Sequence, residues 1–267
     1  MTTYDTSTVH GVHLVHDGPE TAPPLLLIHG SGASGSTWEP MVPALAERFH
    51  VLRIDLPGCG RSSTAPSYAV PDQADRVAAV LDELGLTEGV PVVGHSSGGY
   101  VATALAERRP DLVGPIVLLS TGPDMEALRP EPALVKLLTG AALGALVWPL
   151  RTDALLRKGI AATAEKPVTI SDEAVDDLRR TSFKTFRAIM QANREYLVEQ
   201  DVPERLRRIG RKPLVIFGDA DPRWEPASAH AYEVVSGSRV AYLPGVGHVA
   251  MLEAPDETAR LLLEFLG

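Results

Sequence analysis

Short apolar runs of strand length alternate with helically patterned stretches along most of this chain, and that alternation constrains its fold more than any other feature. Leu25-Leu26-Leu27-Ile28 follows Pro23-Pro24, and Val51-Leu52-Arg53-Ile54, Val90-Pro91-Val92-Val93 and Ile116-Val117-Leu118-Leu119 come after it. Between these runs, helical spacing covers residues 40–48, 72–84 and 100–107. In the second of these Val77, Val80, Leu81 and Leu84 share one side, and Gly85 reads as its stop. The pattern resumes with Leu214-Val215-Ile216-Phe217, a helix over 227–235, a strand over 239–243 and a closing helix over 256–266. Such alternation predicts an α/β protein: a mostly parallel twisted sheet with helices on both faces.

The alternation stops near Gly122. From there to about Gly210 only helical segments are found, punctuated by Pro130, Pro132, Pro149, Pro167 and Pro203. The reading is therefore a core made of residues 1–121 and 211–267, with a helical cap over 122–210. Ligands of open α/β sheets bind at the carboxyl ends of the strands, where a cap would be inserted. Residues 137–150 are almost wholly apolar and include Gly140 and Gly144 in a G-x-x-x-G pattern. A bilayer crossing takes about 20 residues, so this run reads as a buried or lid helix that could wall an apolar pocket.

One corner of this pattern carries chemistry. Gly94-His95-Ser96-Ser97-Gly98 matches G-x-S-x-G, directly after a strand run and before a helical one. A serine at such a sharp turn is forced into a strained conformation with its hydroxyl in the open, and glycines flank it because side chains would collide. Serine needs a base, and the base needs a third group to fix its tautomer. Gly218-Asp219-Ala220-Asp221-Pro222 puts carboxylates just past one strand, and Pro244-Gly245-Val246-Gly247-His248 puts a histidine past the last. In a parallel sheet these loops share one end, so serine, acid and histidine converge there. Backbone N–H groups of Ser97, at the helix start, and of Ser31 in His29-Gly30-Ser31-Gly32 are the expected oxyanion donors, with Gly32 as second choice.

The chain resembles an α/β-hydrolase with a lid. The likeness runs from His29-Gly30 through Asp55-Leu56-Pro57-Gly58-Cys59-Gly60-Arg61-Ser62, Gly94 to Gly98 and Gly218 to Asp221, to Gly247-His248 and Glu253-Ala254-Pro255. It implies a catalytic set of Ser96, Asp221 and His248. The family's acid usually stands third after the glycine that ends its strand, which selects Asp221 over Asp219; some relatives use the place held here by Asp124. Ser96 speaks against dehalogenases and epoxide hydrolases, whose elbow residue is aspartate. The implied activity is hydrolysis of a carboxylic ester of a moderately apolar small molecule through an acyl-enzyme, without a cofactor. His29-Gly30-Ser31-Gly32 and Trp38 also resemble carbon–carbon bond hydrolases of ring-cleavage products, though Val249 follows the histidine where that subgroup tends to have tryptophan. A lyase or cyclase, or a ligand-sensing receptor on the same frame, remains open.

Gly30, Gly32, Trp148, Phe183 and Phe186 are the expected substrate contacts, with Tyr196 also able to shape the pocket. Gly30-Ser31-Gly32-Ala33-Ser34-Gly35 is a perfect G-x-G-x-x-G, and Asp55 ends the next strand, as in a dinucleotide-binding unit. Pro40 and Pro43 delay the helix that this motif needs, so the oxyanion reading is preferred. His10, His13 and His16 recur every third residue; on a strand they cannot share one metal ion and read as solvated edge-strand residues. His95 reads as packing, and Cys59, the single cysteine, as a bystander. The 267 residues carry a formal net charge of −9 with no basic block, which argues against nucleic acid or an anionic membrane as partner. The first thirty residues lack a basic start and apolar core, and no run is long enough for an integral membrane segment, so a cytoplasmic enzyme is expected. A homodimer is compatible with this reading.

Overall fold

A computed structural model describes residues 5–130, 136 and 140–267. Eight strands form one sheet: β1 (Asp5–Val9), β2 (Val12–Asp17), β3 (Pro24–Ile28), β4 (His50–Ile54), β5 (Val90–His95), β6 (Val113–Leu119), β7 (Leu214–Gly218) and β8 (Arg239–Leu243). Their order is β1-β2-β4-β3-β5-β6-β7-β8. β1 and β2 pair antiparallel, as do β2 and β4; every other neighbouring pair is parallel. The carboxyl ends of the parallel strands therefore share one edge, as the alternation predicts.

Period two in the strand sequences builds the layers on both sides. Leu26, Ile28, Leu52, Ile54, Val92, Leu118 and Phe217 bury against α2 (Val70–Glu83) and α3 (Ser97–Arg108). Their neighbours Leu25, Leu27, Val51, Val93, Leu119 and Ile216 face the other way. There they meet Trp38, Met41 and Leu45 and the closing helices α9 (Ala250–Glu253) and α10 (Pro255–Leu266). Gly85 stops α2 with φ of +72°, and the Leu86 N–H returns to the Leu81 carbonyl at 2.9 Å, the C-terminal closure that glycine permits.

Two expected helices are shorter or tighter than the sequence suggests. In place of a helix over 40–48, a 3₁₀ turn occupies Gly35–Met41 with Pro40 inside it, and only Val42–Leu45 (α1) is α-helical. Proline at 40 and 43 removes two backbone donors, which shortens what can form. The helix expected over 227–235 is a 3₁₀ segment, Pro226–Val234.

Between β6 and β7 the described residues form α4 (Ala141–Val147), α5 (Asp153–Ala161), α6 (Asp172–Arg180), α7 (Phe183–Glu199) and α8 (Val202–Arg208). Ser or Asp side chains cap three of these starts: Ser171, Ser182 and Asp201 each accept from a backbone N–H three residues on. Val202 and Leu206 of α8 bury into the sheet's own core, so by packing this helix belongs with the frame. Of the apolar run 137–150, residues 137–139 lie outside the described residues. Leu146 and Leu150, further along it, are 70% and 72% exposed, so the run does not form a fully buried helix.

Candidate active site

Ser96 sits at the corner between β5 and α3 with φ of +52° and ψ of −120°, a conformation that costs a non-glycine residue roughly 1–3 kcal/mol. Close packing around the corner holds it there. A Cβ on Gly94 would lie 2.5 Å from the Gly98 carbonyl oxygen, and one on Gly98 would collide with the main-chain oxygens of Ile28 and His29. Neither position admits any side chain, which is the physical content of the G-x-S-x-G pattern.

Past β7, Asp221 is completely buried. Its Oδ2 accepts from His248 Nδ1 at 2.8 Å, while Oδ1 accepts the N–H groups of Arg223 and Trp224 at 2.7 and 3.1 Å. Burial opposes ionisation of this carboxyl, but the imidazole and the two backbone donors outweigh it and hold the group below the usual carboxylate range. The other two carboxylates weighed from sequence are engaged elsewhere. Asp219 accepts from the Gly245 N–H at 2.7 Å, and Asp124 accepts from Glu126 and Ala127 in its own turn.

His248 is held from three sides. Beyond Asp221, its N–H donates to the Thr163 carbonyl at 2.8 Å, from the loop after α5. Its own carbonyl accepts from His95 Nε2 at 2.9 Å. His95 is thus more than packing. Its Nε2 carries the donated proton, while its Nδ1 is buried without a hydrogen-bond partner. Burial, reinforced by the neighbouring His248, lowers its pKa to about 3. The two imidazole centroids are 5.0 Å apart, and Trp38 meets the His95 ring edge-on at 6.4 Å. Since His95 is covalently next to Ser96, the corner and the histidine loop are tied together.

On the opposite side, Ser31 Oγ and Ser97 Oγ are 2.8 Å apart. Asn193 of α7 donates its Nδ2 proton to Ser31 Oγ at 2.9 Å. Ser97 opens α3, so its N–H has no partner within the helix. Sequence reasoning misses Asn193, because an amide on an amphipathic helix carries no local signal of a partner in a distant loop.

A cavity of about 950 Å³ opens onto this place and is lined by Ser31, Ser96, Ser97, Tyr100, Phe186 and Trp224 among others. Of the expected substrate contacts, Phe186 lines it, while Gly30 and Gly32 flank the lining residue Ser31. Trp148 and Phe183 do not line it: they stack on each other at 5.4 Å, and the Trp148 indole N–H donates to the Thr181 carbonyl at 2.9 Å. Tyr196 is likewise absent from the lining; it packs at 6.0 Å from Tyr100.

The rival motifs find structural roles. Asp55 accepts from the N–H groups of Gly35 and Arg61 at 2.7 and 2.8 Å, so its carboxylate pins the loop after β3 to the loop after β4. Of the three histidines only His10 is exposed to solvent as expected. β2 lies inside the sheet, His13 is buried, and His16 meets His50 at 3.2 Å and Ser7 at 2.8 Å. His10 occupies the turn between β1 and β2 at φ of +51°. Cys59 is buried, and burial pushes its thiol up to about 12, which leaves no thiolate for chemistry at neutral pH. Among the described residues no cluster of three His, Cys, Asp or Glu is placed to hold a metal ion, and no helix is long and apolar enough to cross a membrane.

Comparison with known proteins agrees with this architecture. The model of the Alpha/beta hydrolase family matches residues 25–261. A pimeloyl-[acyl-carrier protein] methyl ester esterase of Aeromonas hydrophila subsp. hydrophila is 28% identical over 259 residues, covering 92% of this chain and 96% of its own. A Caulobacter sp. (strain K31) protein named as a candidate carbamate hydrolase, RutD, is 31% identical over 273 residues, 97% of each chain. Among solved structures, a variant of the N-acyl homoserine lactonase AidH with N-hexanoyl homoserine superposes with a TM-score of 0.81 over 99% of this chain and 96% of that one, at 21% identity. At that identity the likeness speaks for the fold.

Proposed function

The chain belongs to the alpha/beta hydrolase family and is a hydrolase, and from that premise we propose that it cleaves a carboxylic ester of a small, partly apolar molecule through an acyl-enzyme. The observation that carries this reading is the buried 2.8 Å bond from His248 Nδ1 to Asp221 Oδ2 on the same sheet edge as the strained Ser96. An imidazole whose Nδ1 proton is held by a carboxylate presents Nε2 as a base.

In this mechanism His248 Nε2 removes the Ser96 proton as Oγ bonds to the ester carbonyl carbon. Asp221 stabilises the imidazolium that forms. The carbonyl oxygen becomes an oxyanion held by the N–H groups of Ser97 and Ser31, each contributing on the order of 3 kcal/mol in the transition state. His248 then gives its proton to the departing alkoxide as the carbon–oxygen bond breaks. Water, deprotonated by the same imidazole, attacks the acyl-enzyme, and Ser96 leaves with the proton returned to it.

Helices α4 to α7 serve as a cap over this site in our reading. Asn193 and the carbonyl of Thr163 contact Ser31 and His248 from that layer, and Phe186 gives the cavity an apolar wall. Esterase names among the relatives favour an ester over other acyl bonds. The test is turnover of p-nitrophenyl esters and labelling by a fluorophosphonate. Both are expected for the native enzyme and absent for Ser96→Ala; undiminished turnover by that variant would remove the mechanism.

A further inference from the structure

The cavity that reaches Ser96 has an unusual charge. Among the described residues its lining includes Arg129, Lys136, Arg187, Arg194 and Arg223 against a single carboxylate, Glu195. The whole chain has the opposite balance, 25 Lys and Arg to 34 Asp and Glu. A wall so different from the average surface marks a local requirement, and cations gathered around a concave site raise the local concentration of anions.

Arg129 is taken by Glu225 at 3.0 Å. Two of these side chains, Arg187 and Arg194, both on α7, are exposed without an ion-pair partner among the described residues. They stand on α7 seven residues apart, two turns, hence on one side of the helix and about 10 Å apart along its axis. Arg194 adjoins Asn193, whose amide touches Ser31 beside the buried Ser96. Met190 and Phe186, on the neighbouring face of the same helix, line the cavity with apolar surface. The described lining thus combines Ser96 and Ser97, apolar wall and guanidinium groups around one cavity.

We propose that the substrate carries an anionic group, carboxylate or phosphate, at the end of an apolar chain, and that Arg187 and Arg194 bind it while the ester carbonyl lies at Ser96. This rests on the ester-hydrolase reading above and narrows it to amphiphilic anionic esters. Guanidinium suits both anions because its paired N–H groups match two oxygens at once.

Three p-nitrophenyl esters with the same six-carbon acyl chain, ending in methyl, carboxylate or phosphate, test the proposal. Two exposed charge contacts are expected to raise kcat/KM for an anionic ester over the neutral one by about tenfold at low salt. The gain should shrink at 0.5 M salt through screening. In Arg187→Gln/Arg194→Gln the ratio should fall to near one, whereas Arg239→Gln, exposed at the amino end of β8 away from the site, should keep it. Whichever anion shows the larger gain identifies the group. A native ratio of one or less, or a ratio that survives the double substitution, overturns the proposal. Unreactive amides of the three acids, titrated into Ser96→Ala by calorimetry, read the same preference as a ratio of affinities. The anion preference is thus decided even if ester turnover itself fails.

Discussion

Asn193 donates to Ser31 across 2.9 Å, and through Ser31 Oγ it reaches Ser97 Oγ 2.8 Å further on. A side chain from the helices after β6 thereby fixes the orientation of both segments proposed to hold the oxyanion. Ser31 Oγ accepts from Asn193 and still shares a second hydrogen bond with Ser97 Oγ, so one amide is linked to both hydroxyls.

Removing that amide should loosen the oxyanion loop without emptying the pocket. For Asn193→Ala we expect kcat to fall about five- to tenfold, the equivalent of one hydrogen bond of roughly 1 kcal/mol, with KM nearly unchanged. Asn193→Asp, which accepts where the amide donates and places a negative charge near the developing oxyanion, should lose more. Steady-state kinetics on a p-nitrophenyl ester separate the two parameters. A rise in KM alone would assign Asn193 to substrate contact instead.

Asp221 is held below the ordinary carboxylate range despite its burial, so it takes up its proton less readily folded than unfolded. Its contribution to stability is complete above the unfolded value of about 3.9 and is lost as pH falls below that, through the lower folded value. Asp221→Asn should narrow the gap to wild type in urea midpoint as pH drops from 5 to 3. Because the amide cannot fix the tautomer, ester turnover should fall by about 10⁴ at neutral pH. A variant keeping a tenth of the activity would point to another acid, with Asp124 the first to examine.

The parts of this chain that could be read in advance are those whose cause is local. The Gly94–Ser96–Gly98 corner is legible because two approaching main chains exclude any Cβ, and the strand runs are legible because their alternate residues serve two separate cores. Roles created by distant approach were not. Asn193 meets a residue 162 positions away, and His95 meets a carbonyl 153 positions away; neither contact leaves a trace in its own neighbourhood. The pairing of His16 with His50 depends on β2 lying next to β4, which the period of three in His10, His13 and His16 does not indicate. Trp148 is an expected substrate contact that does not line the cavity. Its indole N–H had a closer obligation to Thr181.

His95 offers a second pH signature. Its pKa of about 3 in the folded chain lies below the usual 6.5, so the unfolded state binds the proton first. Stability due to this group is full above about pH 6.5 and declines as pH falls toward 3, with the unfolded state holding up to one extra proton in that window. His95→Gln, whose amide can still donate to the His248 carbonyl, should flatten the dependence of urea midpoints on pH between 6 and 4 and keep most of the activity. His95→Phe should flatten the slope equally but also lose activity, about five- to tenfold, because the His248 main chain loses its donor. Equal activity in the two variants would show that the hydrogen bond does not position the imidazole.

Gly98 stands where α3 crosses β3, and any Cβ there runs into the Ile28 and His29 carbonyl oxygens, which are backbone and cannot swing aside. The Ile28 strand would have to move, and with it the loop that carries Ser31. Overpacking against backbone typically costs about 1–3 kcal/mol. Gly98→Ala should therefore lower the unfolding free energy by that amount in urea titrations and, in the fraction that folds, reduce kcat through the displaced Ser31 N–H. Gly85→Ala is the control. Nothing lies within 4 Å of a Cβ there, and only the φ of +72° opposes it, so it should cost about 1 kcal/mol of stability and leave kcat alone. If both variants lose stability but keep the native kcat, the close approach of α3 to β3 matters for folding and has no part in setting the geometry around Ser96.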